Sequence, residues 1–260
     1  MQISAGAWAK YTERMERIDA NAARLLKAWM RSHEYSSPEG VKALINQASK
    51  LNLKFGQAAA ELACQMYDAT AALYGAAVPA AEAAEAASYA QVSSAIRRSL
   101  AISSNEEVAG SALGALVKQA GLRTTVKNAR RDGAEWAWIP DGGACGFCLM
   151  LASRGWQKTG SDNTGVAHAH SHCRCQYAVR FSPFGGVGGY SPDHYKLLWD
   201  EAKEAAEDWD GGTGWQDALN ALRREQYEEN KEQINAQKRA AYAKRREAEE
   251  GRQGRSSDSD

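Results

Sequence analysis

Cys145-Gly146-Phe147-Cys148, followed after a spacer by His168-Ala169-His170-Ser171-His172-Cys173-Arg174-Cys175, gathers four of the five cysteines and three of the five histidines of a 260-residue chain. Thiolates and imidazoles this close in sequence suit a tetrahedral zinc ion, which takes four N or S ligands at ~2.0–2.3 Å. The Cys-x2-Cys pair lets one tight turn offer two sulfurs. The second cluster then closes the site from a distant part of the chain and ties down the loop between.

The second cluster offers a choice of ligands. In a fully extended strand, side chains alternate faces. His168, His170 and His172 would share one face, and Cys173 and Cys175 the other. A turn at Ser171 and His172 instead makes His170-x2-Cys173 a second knuckle matching the first. The preferred set is therefore Cys145, Cys148, His170 and Cys173, with Cys175 competing for the last place. Four protein ligands leave no open position for water, the arrangement of a structural zinc and not a catalytic one.

Other uses of clustered cysteines fit less well. Disulfides need an oxidising compartment, and Met1-Gln2-Ile3-Ser4-Ala5 lacks a basic n-region followed by an apolar core. A redox Cys-x2-Cys opens a helix in a βαβ context, which the flanking sequence does not offer. Zinc deaminases need an upstream His-x-Glu, and none of the five histidines supplies it.

Strand signals flank the cluster. Glu135-Trp136-Ala137-Trp138-Ile139 is short, aromatic and alternating, and stops at Pro140; Gln176-Tyr177-Ala178-Val179-Arg180-Phe181 alternates again. These predict a small antiparallel sheet beside the metal, with Leu149 to Arg154 as a short helix. So small a unit buries little apolar surface, and metals commonly supply the missing stability.

The rest of the chain reads as helix. Trp8, Tyr11, Met15, Ile18, Leu25 and Trp29 form one apolar stripe. His33 sits near that helix's end, where the dipole favours a cation. Ser36 and Glu39 have capping-box spacing, opening a helix through Leu44, Ala48, Leu51, Phe55, Leu62, Met66 and Leu73 that stops at Gly75. Cys64 lies among its alanines as a small core residue. Pro79 opens an alanine run predicted as helix to about Leu100. Another helix starts between Ser103 and Glu107 and ends near Gly121, with Gly110 and Gly114 permitting close packing. Arg123 to Arg131 makes a short basic helix with Lys127, Arg130 and Arg131, read as a solvated face in preference to a phosphate or partner site.

Pro183 to Gly189 is glycine-rich but lacks the Gly-Lys-Ser/Thr ending of a phosphate loop, so it reads as a flexible linker. Ser191-Pro192-Asp193 caps a helix through Tyr195, Leu198, Trp199 and Ala202. A long polar helix starts at Trp215, and Gly251 to Asp260 has the composition of a disordered tail. The expected organisation is α+β: a helical region over 1–133, a zinc-binding core over 134–186, helices over 187–231, and a charged helix and tail over 232–260.

The stretch Trp138-Ile139-Pro140-Asp141-Gly142-Gly143-Ala144-Cys145-Gly146-Phe147-Cys148-Leu149-Met150-Leu151-Ala152-Ser153-Arg154-Gly155 resembles the core of the MuF-like minor capsid, or phage head morphogenesis, proteins. Their second motif, His-Pro-Asn-Cys-Arg-Cys, is matched by His170-Ser171-His172-Cys173-Arg174-Cys175, with Ser and His replacing Pro and Asn. Residues from Gly133 to Phe181 carry the resemblance. It implies a minor component of a tailed-phage or prophage head, located in the virion's capsid interior and in the host cytoplasm during assembly. The implied partners are the portal protein and other head proteins.

Charge and chemistry limit the alternatives. The chain has 32 basic and 32 acidic residues, so there is no global footprint for nucleic acid. Contact with packaged DNA would fall to a local stretch such as Lys238, Arg239, Lys244, Arg245 and Arg246, which reads equally well as a solvated helix. No apolar run is long enough to span a membrane, so no membrane partner is expected. No Gly-x-Ser-x-Gly elbow, His-Glu-x2-His or carboxylate pair is present, so no enzyme is expected. The alternative reading is a zinc-dependent nuclease with a His-rich treble-clef core, in which His168 and His172 would be catalytic.

The expected metal content is about one zinc per chain. Elemental analysis of the purified protein measures it directly; a zinc-free protein with a disulfide between Cys145 and Cys148 would contradict it.

Overall fold

A computed structural model describes residues 1–158, 174–210 and 213–256. It is mostly helical with one two-stranded antiparallel sheet, an α+β arrangement. The chain forms two compact units, Met1–Leu198 and Trp199–Asp260.

The first unit is built on three long helices. Helix α1 (Ala5–Ser32) starts where the Ser4 hydroxyl accepts from the Ala7 N–H at 3.2 Å. It buries Trp8, Tyr11, Met15, Ala22, Leu26 and Met30. Ile18, Leu25 and Trp29 of the expected stripe are half-buried against the same core. A seven-residue repeat drifts by ~20° per heptad on a straight helix, which moves the buried edge from Leu25 and Trp29 to Leu26 and Met30. His33 is the C-cap residue: its Nδ1 lies 2.9 Å from the Trp29 carbonyl, and its ring stacks on Trp29 with centroids 4.2 Å apart.

Helix α2 (Pro38–Tyr74) is capped by Ser37 and not Ser36, the Ser37 hydroxyl accepting from the Gly40 N–H at 3.0 Å. The reason is Pro38, which suits the first helical position because the N–H it lacks would have no partner there. Ser36 turns back to donate to the Glu34 carboxylate at 2.6 Å. The helix ends at Gly75 in the left-handed conformation, as expected. Leu73 is exposed; Thr70 and Ala71 take the buried side of the last turn.

The alanine run after Pro79 departs most from expectation. Helix α3 begins only at Tyr89 (Tyr89–Ile102), behind a Ser88–Gln91 capping box, and residues 76–88 lie outside any helix or strand. Alanine favours helix, but other elements' side chains satisfy the peptide groups of this strap. Asn128 accepts from the Glu82 N–H and donates to its carbonyl, both at 2.9 Å. Thr124 Oγ1 accepts from the Ala84 N–H, Asn52 donates to the Ala87 carbonyl, and Arg131 donates to the Pro79 and Ala80 carbonyls.

Those donors sit mainly on helix α4 (Glu106–Asp132), which is continuous where a break at Gly121 and a separate basic helix were expected. Gly121 serves close approach. A Cβ there would lie 2.8 Å from Met15 Cε on α1 and 3.2 Å from the Ala59 carbonyl on α2. Lys127, Arg130 and Arg131 are exposed, as expected, and two of them also hold the strap: Lys127 pairs with Glu82 at 2.9 Å, and Arg131 donates to the Pro79 and Ala80 carbonyls. Gly133, at φ 66°, ends the helix and turns the chain into strand β1 (Glu135–Ile139).

Strand β1 pairs antiparallel with β2 (Gln176–Arg180), Glu135 opposite Arg180 and Ile139 opposite Gln176. Between them lies the seven-residue helix α5 (Gly146–Ala152). Ala137, Ile139 and Ala178 join Leu113, Val117 and Met15 in one core, so the sheet is packed into the helical region. The glycine-rich loop is built into the same unit. Ile3 donates to the Gly186 carbonyl and accepts from the Gly188 N–H, both at 2.8 Å, and Val187 is buried. The flexible-linker reading is therefore replaced by a clamp on the N-terminal residues.

Helix α6 (Pro192–Asp210) crosses into the second unit, where Ala202 and Ala206 are buried together with Ala218, Leu219 and Leu222 of α7. Helix α7 (Trp215–Ser256) extends into the stretch whose composition suggests a tail.

Asn128→Ala removes both strap hydrogen bonds from a fully buried position and should cost about 2–3 kcal/mol. Urea unfolding measures the loss. Amide exchange should accelerate first at Glu82 and Ala84; unchanged exchange there would show that the strap does not depend on α4.

Candidate metal centre

Three of the five candidate ligands are among the described residues, and the strand pair positions them. Strand β1 runs out at Ile139, and the chain turns through 141–144, where the Ala144 N–H donates to the Asp141 carbonyl at 2.9 Å. Cys145 then occupies the N-cap of α5 and Cys148 its first turn. Cys148 is buried at 1% exposure, and Cys145 is half-buried. Cys175 immediately precedes β2 and is also buried, at 1%.

A backbone contact joins the two halves of the motif. The Asp141 backbone N–H donates to Cys175 Sγ at 3.3 Å. An N–H aimed at sulfur favours the thiolate, the form that binds metals. The register places Cys175 opposite the residue after Ile139, so the sheet itself brings this sulfur to the 141–148 turn.

Aromatic rings lie near the two buried cysteines. Tyr177 lies edge-on between Trp136 and Trp138, at centroid distances of 4.9 and 4.8 Å. Burial pushes the Tyr177 phenol well above its ordinary range; Arg154 partly offsets this and the nearby Cys148 adds to it. Tyr195 is likewise raised by burial first and by Cys175 second. Tyr190 stacks on Tyr195 at 5.6 Å and donates to the Ala152 carbonyl, holding the end of α5. Lys118 is buried with its ammonium 5.8 Å from the Trp138 ring. Arg174, next to Cys175, reaches Glu16 of α1 at 2.8 Å.

His168, His170, His172 and Cys173 lie outside the described residues. Among the described residues, no three His, Cys, Asp or Glu side chains form a group that could hold a metal ion. Cys145, Cys148 and Cys175 are all described and do not form such a group, so the expected four-ligand set would have to draw on His170 and Cys173, which lie outside the described residues. The donor chemistry fits zinc: soft sulfurs, two of them buried, one already receiving a backbone N–H.

Sequence reasoning missed the Asp141 amide and the tyrosines near the buried cysteines. The turn-forming Pro140-Asp141-Gly142-Gly143 was the available signal for the first. Cys64 is apart from this site: it is half-buried on α2 and lines a groove with Glu61 and strap residues Ala81 to Ser88. Burial, followed by Asp68 and Glu61, raises its thiol. His194 packs edge-on against Tyr195 at 5.2 Å.

A strong chelator should lower the melting temperature of the wild-type protein. Cys148→Ser should melt at that lower temperature with or without chelator, because binding energy at such sites is folding energy. Equal melting of all four samples would show that the sulfurs hold no stabilising ion.

Among the described residues no helix is long and apolar enough to cross a membrane. The VG15 protein family matches residues 2–202, and the chain belongs to this phage-associated family. No curated protein and no solved structure matches the chain.

Proposed function

We propose that this VG15-family protein is a minor capsid, or head morphogenesis, protein of a tailed phage or prophage. It acts inside the head near the portal, in head assembly and in DNA packaging or ejection. Supporting this is the family match across residues 2–202, taken with the MuF-like resemblance over Gly133 to Phe181. The observation that carries the reading most is the placement of that resemblance, since the stretch with Cys145, Cys148 and Cys175 is packed on the α1–α4 core within one compact unit. A scaffold needs that rigidity, and it needs no substrate cleft.

The cysteine cluster has a structural role in this reading. Cys145 and Cys148, with two of His170, Cys173 and Cys175, would hold a zinc ion. When bound, zinc supplies a cross-link between the start of α5 and the entrance to β2. The chain's own residues do the rest: the Asp141 amide orients Cys175, and Tyr177 and Tyr195 stand near the buried Cys148 and Cys175. The protein works through partners, the portal protein and other head proteins, and not as an enzyme.

Mass spectrometry of purified virions should find the protein at far lower abundance than the major capsid protein; absence from virions and from assembling heads would contradict the proposal. A plasmid-nicking assay tests the non-enzymatic part, and neither the wild type nor the His168→Ala, His172→Ala protein should nick DNA. Metal-dependent nicking lost in the double variant would favour a nuclease, since removing a catalytic base typically costs at least ~10² in rate.

A further inference from the structure

We infer that helix α7 is a binding element for the phosphate backbone of duplex DNA. Its cations are ordered along the helix. Arg224, Lys231, Lys238, Arg245 and Arg252 recur at steps of seven residues within one continuous helix, Trp215–Ser256. Positions seven apart differ by only ~20° around a helix, so these five lie along one side, at intervals of roughly 10 Å. Glu225, Glu229, Glu232, Glu247 and Glu250 occupy positions away from this line, whereas Glu228 and Glu249 fall beside it near its two ends.

The charge is concentrated in the middle. From Gln233 to Arg246 the helix carries Lys238, Arg239, Lys244, Arg245 and Arg246 with no Asp or Glu, a local charge of five minus zero, +5. Lys231 has a carboxylate on its own helix, Glu228 at 3.0 Å. Lys238 and Arg239 are exposed and have no carboxylate within one turn in the sequence. Glu247, Glu249 and Glu250 lie one turn beyond Lys244, Arg245 and Arg246, so Lys238 and Arg239 are the cations of this stretch left for a partner outside the helix.

The residues between the cations narrow the partner. A helix lying on a membrane needs a broad apolar face, and a helix pairing with another protein helix needs apolar residues at a and d positions. Between Gln233 and Arg246 the large apolar or aromatic residues are Ile234 and Tyr242 alone. Phosphate backbone demands neither, only cations spaced along a line, because it carries about one charge per 1.7 Å of duplex axis. This proposal rests on the head-protein reading only in naming DNA as the polyanion.

The test uses the full chain, a mixed-sequence DNA duplex and fluorescence anisotropy. The Kd of the wild type should rise by roughly 10²–10³ between about 50 and about 200 mM salt, as five phosphate contacts require. K238Q/R239Q should bind more weakly. A variant with Gln at all five middle cations should bind at least ~100-fold more weakly at about 50 mM salt. Gln has nearly the helix propensity of Lys and Arg, so circular dichroism should be unchanged; should the five-site variant unfold, the double variant carries the comparison.

A salt-independent wild type, or a five-site variant that binds equally well, overturns the proposal. So does charge-dependent capture by phosphatidylserine–phosphatidylcholine vesicles in place of the duplex, or loss of self-association in the variants without loss of DNA binding. Duplex binding by a protein absent from virions would sink the head-protein reading and leave this one standing. A virion protein whose DNA binding ignores these five cations would do the reverse.

Discussion

The close approach of α4 to α1 and α2 at Gly121 is the constraint on which the rest of the first unit depends. A Cβ there would sit 2.8 Å from Met15 Cε, the far end of a flexible side chain, and 3.2 Å from the Ala59 carbonyl, so a larger residue would need Met15 to swing aside and the α2 backbone to give by a few tenths of an ångström. From that position α4 does two jobs. Thr124, Asn128 and Arg131 reach sideways to hold residues 79–84. At its end, Gly133 directs the chain into β1, whose Ala137 and Ile139 enter the same core. Displacing α4 would thus disturb both the strap and the sheet.

The sheet in turn sets the candidate metal centre. A two-stranded ribbon is marginal by itself, and here helices on its core side stabilise it. Arg180 ties the strands to their surroundings: its guanidinium donates to Glu135 at 2.6 Å, lies 4.7 Å from the Trp156 ring, and reaches the Pro183 carbonyl. Held in this way, β1 and β2 deliver the 141–148 turn and Cys175 to one place. The Asp141 amide then meets the Cys175 sulfur without reorganisation. A structural ion at this point would cross-link the start of α5 to the entrance of β2 on a frame that is already formed.

Local signals were legible in the sequence wherever local forces decided the outcome. The stripe of α1, the stop at Gly75 and both strands follow from periodicity and turn chemistry; the short helix expected over Leu149 to Arg154 instead runs Gly146–Ala152 and takes Cys148 into its first turn. Readings failed where distant groups decided. The alanines after Pro79 have helical propensity, but Asn128 and Thr124, more than 35 residues away, satisfy their peptide groups in another conformation. Gly121 looked like a helix stop because its packing partners, Met15 and Ala59, are remote in sequence. The glycine-rich loop looked mobile because its partner, Ile3, lies at the other end of the unit. For the site, cysteine spacing was readable, whereas the Asp141 amide was not, since a backbone donor leaves no mark in composition.

Zinc K-edge X-ray absorption on the purified full-length chain tests the central claim most directly, that these cysteines build a closed structural site. The account predicts one four-coordinate zinc with sulfur-rich ligation, Zn–S near ~2.3 Å, at most one nitrogen at ~2.0 Å, and no bound water. An oxygen-rich shell, an open coordination position, or no zinc in protein prepared without chelator would contradict it.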